Sequence, residues 1–176
     1  MKCDEREVVR YYLKCELGKC FEIWNQPDDF VHLFDRGIDG FSDEIAFKLM
    51  RFLSGPEYRN NGLSYHLGRG QCRWKTEKVN IEMMYLPPIN HRVNATIDTF
   101  NRNLAKFVKF LKEDGYKYQN LREFRDDGRK IHQQKVISLR VGSRIKIIDG
   151  AHRAIILALR GATCIETYLS YKQLLS

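Results

Sequence analysis

Asp149, His152 and Arg153 gather around Gly150 in the stretch IKIIDGAHRAIILALRG, residues 145–161. A carboxylate can orient a hydroxyl, take a proton or hold a metal ion. An imidazole next to a guanidinium suits an anion. Glycine permits a sharp turn and lets a ligand approach the backbone. If 144–148 is a strand and 151–160 a helix, these residues flank the helix's first turn. Its outward N–H groups and dipole carry partial positive charge there. A phosphate at that point would receive N–H bonds, an imidazole and a guanidinium. Two adjacent basic residues oppose the dipole in a first turn, which argues that an anion compensates them. The competing arrangement makes Asp149 an N-cap and pairs Arg153 with a surface acid. Asp149 and His152 are therefore the candidate catalytic side chains, and Gly150, His152 and Arg153 the candidate phosphate contacts.

The elements that must position them follow from periodicity. Residues 135–141 and 144–148 suit strands, joined by a tight turn at Gly142-Ser143. Residues 151–160 have helix composition and stop at Gly161, and 163–169 (TCIETYL) reads as a further strand. Upstream, 79–86 reads as a strand ended by Pro87-Pro88. Residues 97–112 are expected as one basic amphipathic helix, with Ile97, Phe100, Leu104, Phe107, Val108 and Leu111 on one face and Gly115 as its stop. Residues 117–130 are charged and irregular. The order is that of a small α+β unit with a mixed sheet.

Before it, 43–53 predicts a helix capped by Ser42, and 5–16 is compatible with a short one. Residues 55–74, rich in Gly and Asn, read as loop. The expected division is an N-terminal, partly helical extension over 1–77 and a domain over 78–176. His32, His66 and His132 fall in expected loops, and Trp24 and Trp74 read as packing residues.

Composition bounds the functional classes. The chain has 176 residues, 43% of them hydrophobic, which suits one domain with an extension and excludes global disorder. No apolar run approaches the ~18 residues of a membrane helix, and the charged N-terminus MKCDEREVVRYY shows no secretory core. Five cysteines without a CxxC pair point to reduced thiols in a cytoplasmic setting; Cys15 and Cys20 lack a second pair to complete a metal site. The net charge is +8, and residues 101–146, with 13 Lys/Arg against 5 Asp/Glu, account for all of it. Such a field attracts phosphates of a nucleotide or of DNA, unless it is only a solvated basic face.

The segment IIDGAHRAIILALRG…CIETYL resembles the signature of the ParB/sulfiredoxin-like superfamily, in which a hairpin strand ends in a Gly-x-His/Arg-Arg box, followed by a helix, a Gly and a short strand. VNIEMMYLPPINHR resembles that superfamily's first strand and Pro-Asn-x-Arg-type segment. The resemblance spans residues 78–169. Ala151 discriminates among the branches. It replaces the cysteine of sulfiredoxins, the glutamate of partition ParB proteins and the first histidine of the Asp-Gly-His-His-Arg box of free-serine kinases. With seven residues after Leu169, the helix-turn-helix domain of partition proteins is not expected.

The resemblance implies that Gly150, His152 and Arg153 hold the phosphates of ATP or ADP, or of CTP, with Mg²⁺. It makes Arg92 a further contact, with His91 beside it. Glu82 and Glu123 are its candidate bases. The implied functions are a nucleotide-dependent phosphotransferase or nucleotidase with a small-molecule acceptor, a DNA-binding ParB-like nuclease or regulator using 101–146, or a non-catalytic nucleotide-sensing module.

Overall fold

The computed structural model describes residues 1–20, 40–53, 66–67, 72–125, 128 and 134–172. Trp24, His32 and His132 lie outside them. The chain divides into two compact units, one from Lys2 to Trp74 and one comprising Met1 and Lys75–Lys172.

In the first unit a two-residue strand β1 (Lys2–Cys3) precedes helix α1 (Glu5–Cys20). Glu5 and Glu7 in its first turn complement the helix dipole. Val8, Val9, Tyr12 and Leu13 form its buried stripe. Helix α2 (Asp43–Leu53) has its predicted bounds and buries Ala46, Leu49, Met50 and Leu53. The Ser42 hydroxyl accepts from the Ile45 N–H at 3.3 Å, the expected cap. Arg10 ties the helices together by donating to the Phe41 carbonyl (2.8 Å) and to Asp43 (3.0 Å).

The second unit holds strand β2 (Cys72–Asn80) from Lys75 onward, with β3 (Met84–Tyr85), β4 (Val136–Val141), β5 (Arg144–Asp149) and β6 (Cys164–Lys172). Its helices are α3 (His91–Thr99), α4 (Leu104–Glu113) and α5 (Ala151–Leu159). The fold is α+β with a mixed six-stranded sheet, in which the unit's strands run β2-β6-β4-β5-β3. β4 and β5 form the antiparallel hairpin, turning at Gly142 (φ 61°), whereas β6 lies parallel to β4 and β3 parallel to β5. Hairpin, helix and last strand stand close to the expected ranges.

Three expectations are corrected. The loop expected over 55–74 ends sooner, because Cys72, Arg73 and Trp74 already belong to β2, with Trp74 buried. The strand expected over 79–86 is broken. The Asn80 side chain accepts from the Glu82 N–H at 2.9 Å and starts a 3₁₀ turn, Ile81–Met83, before β3. The single helix expected over 97–112 is two helices. Asn101 and Arg102 take left-handed conformations (φ 51° and 57°), and Asn103 caps α4 by accepting from the Lys106 N–H at 3.0 Å. The apolar rhythm runs through this break because Ile97, Leu104, Phe107 and Leu111 enter one core, with Met84, Leu86, Ile147, Ile155 and Leu169. Within 117–130, a 3₁₀ turn (Gln119–Phe124) buries Leu121 and Phe124. Among the described residues no helix is long and apolar enough to cross a membrane.

Candidate phosphate-binding turn and an adjoining cleft

β5 delivers Asp149 to the end of the sheet, and Gly150 turns the chain into α5 with φ 88° and ψ 24°. An L-side chain is strained in that region. A Cβ at position 150 would also lie 3.0 Å from Val136 Cγ1 and 3.3 Å from Arg153 Nη2. The β4–β5 ladder slips between Ile137 and Ser138, opposite the end of β5, which bends the hairpin at the turn. Gly150 occupies the cap position of α5. Having no side chain, it makes no side-chain cap bond, and no acidic residue stands in the helix's first turn.

The side chains of the turn separate into two sets. Asp149 and Arg153 face inward. They form an ion pair of 3.6 Å with side chains only 6% and 10% exposed, and Arg153 Nη1 also donates to the Lys135 carbonyl. The Asp149 carboxylate thus lies against the guanidinium. His152 faces outward. Its exposed ring lies 5.0 Å, centroid to centroid, from Phe124, with the planes tilted by 31°.

His91 and Arg92 begin α3. Asn90 caps that helix, its side-chain oxygen accepting from the N–H groups of Arg92 (2.9 Å) and Val93 (3.1 Å). Its amide donates to Glu123 Oε1 at 3.1 Å. Asn120 donates to the Arg92 carbonyl at 2.7 Å. These bonds fasten the start of α3 to the Gln119–Phe124 turn. Between them lies a cleft of about 370 Å³ lined by Asn90, His91, Arg92, Gln119, Asn120 and Glu123.

One 3₁₀ turn thus links the candidate groups. Its Glu123 faces the cleft with His91 and Arg92, and the next residue, Phe124, packs on His152. Glu82 does not line the cleft. It stands on the Ile81–Met83 turn, where its carbonyl accepts from Asn103 at 2.7 Å. Sequence reading missed Phe124, Asn90 and Asn120. A signal existed for Asn90, since Asn before a Val93/Ile97 spacing marks a helix start. Phe124 carried none, because its contact with position 152 is long-range.

Among the described residues no group of three or more His, Cys, Asp or Glu side chains is arranged to hold a metal ion. No protein-family model, curated protein or solved structure matches the chain.

Proposed function

We propose that the second unit binds a nucleotide, ATP or ADP, by its phosphates at the start of α5, and acts as a phosphotransferase or nucleotidase of the ParB/sulfiredoxin-like kind. The observation that carries this reading is the Gly150 turn. A left-handed glycine, at which a Cβ would lie 3.0 Å from Val136 Cγ1, opens the helix, and an exposed His152 stands in its first turn. Backbone N–H groups and the imidazole are the direct phosphate contacts. Arg153, held by Asp149 and the Lys135 carbonyl, fastens the turn behind them, the ion pair itself carrying no net charge.

The roles differ from those the motif implied. Asp149 is a positioning residue rather than a base, since it is buried against Arg153. For the same reason the turn does not offer a protein-borne Mg²⁺ site. CTP presents the same phosphates and is a competing ligand for the same turn.

A panel of ATP, ADP and CTP tests the reading by thermal unfolding, because a ligand that binds only the folded state stabilises it by mass action. The expected outcome is a saturable rise in Tm with ATP or ADP that His152→Ala weakens. No rise with any nucleotide at millimolar concentration would rule the proposal out. Binding without turnover would make the unit a nucleotide sensor instead.

A second reading is DNA binding. Lys106, Lys112 and Arg122 are exposed and form no ion pair among the described residues, so their charge is uncompensated locally.

A further inference from the structure

Phe124 is a core side chain with one contact that reaches the surface. Its ring is fully buried and meets Phe107 of α4 edge-on, at 5.7 Å between centroids and 88° between planes. The backbone beneath it is fixed. Leu121 is buried, its N–H donates to the Tyr118 carbonyl, and the Arg125 N–H donates to the Arg122 carbonyl, both at 3.1 Å. Asn120 and Asn90 fasten the same turn to the start of α3. Phe124 therefore offers its ring from a rigid support.

The ring is offered to the exposed imidazole of His152, 5.0 Å away at a tilt of 31°. That separation lies within the ~4.5–7 Å of interacting aromatic pairs. An exposed imidazole in a first helical turn has several staggered rotamers open to it, because no helical turn precedes it to crowd the side chain. Only those that keep it beside Phe124 gain the contact. Such a contact shifts an equilibrium about two- to tenfold. Freezing a side chain on binding costs a similar factor of about two- to tenfold. The phenyl ring thus supplies, before a ligand arrives, the order that a phosphate would otherwise have to impose. Packing against Phe107 asks position 124 for an apolar side chain, and a flat face toward His152 asks for an aromatic one.

We infer that Phe124 is a positioning residue, which holds the His152 imidazole where a phosphate at the start of α5 meets it. This role rests on the nucleotide reading. Being buried, Phe124 acts only through His152.

The test uses the full chain and a double-mutant cycle, with ATP and ADP affinities measured by isothermal titration below the unfolding range of every variant. Phe124→Leu keeps apolar bulk and removes the ring face. It is expected to weaken nucleotide binding about three- to tenfold in the wild-type background and less than about twofold in the His152→Ala background. Equal weakening in both backgrounds, or none in the first, would overturn the positioning role and leave the nucleotide reading standing. No nucleotide binding by the wild-type chain would overturn both.

If Phe124→Leu fails to fold, proton NMR of the wild-type chain decides. Nuclear Overhauser contacts between the His152 and Phe124 rings are expected without nucleotide and again with ATP bound, while the His152 signals shift on binding. Absence of these contacts in the free chain, or their loss when ATP binds, would overturn the role, because the imidazole would then meet the phosphate away from the phenyl ring.

Discussion

At position 150 the missing side chain meets two separate demands. The backbone is left-handed, and a Cβ would lie 3.0 Å from Val136 Cγ1. Gly150→Ala is therefore expected to cost about 1–3 kcal/mol, read as a fall in the urea midpoint at unchanged slope. A neutral effect would show that the turn can relax. The buried pair beneath it makes a sharper test. Asp149→Ala strands the Arg153 guanidinium, and breaking a buried pair costs about 3–5 kcal/mol. Adding Arg153→Met should recover much of that loss, because no charge then remains unpaired. If the double variant is as unstable as the single one, the pair is not what holds the turn. At this scale the sequence was partly legible. The residue types and a sharp turn at the glycine could be read from DGAHR. The inward direction of Asp149 could not, because it depends on the Lys135 carbonyl and Val136 of a neighbouring strand.

Among the elements, the break between α3 and α4 shows how a pattern can be right and its bounds wrong. Period 3.6 records which residues face a core, not whether the backbone between them stays helical. Ile97 and Leu104 share a core across a left-handed pair. Asn103 enforces the break twice over. Its side-chain oxygen caps α4, and its amide donates to the Glu82 carbonyl. Asn103→Ala loses a cap and a largely buried hydrogen bond, each worth about 1 kcal/mol. A destabilisation of about 2 kcal/mol by chemical denaturation is expected, and less than about 0.5 kcal/mol would mean the break is set elsewhere. By contrast, α2, the β4–β5 hairpin and α5 followed the sequence closely, because Ser42, Gly142 and Gly161 mark their ends locally.

Over the whole molecule, the positive charge was visible at once as a property of residues 101–146. Its distribution in space was not. Some of these cations are used internally: Arg102 pairs with Asp98 and Lys117 with Asp114. Within α4 and the Gln119–Phe124 turn, Lys106, Lys112 and Arg122 form no ion pair among the described residues. If they contact a DNA backbone, log K should fall against log salt with a slope of about −3, near −0.9 per phosphate neutralised. Fluorescence anisotropy with a short duplex measures it. A flat response, or no binding at low salt, would remove the DNA reading.

The sequence by itself determined the strand–turn–helix at residues 145–161, the α+β order of the second unit and the position of the basic excess, since each depends on neighbours within a turn or two. Tertiary structure decided which side chains the turn shows to solvent and which it buries. It also decided that Glu123 and Arg92, separated by a helix pair in sequence, line one cleft. Periodicity and caps are short-range. The partners that turn Asp149 inward, set Phe124 against His152 and fasten α3 to residues 119–124 are hydrogen bonds and packing between distant segments. Only the closed core brings those segments together.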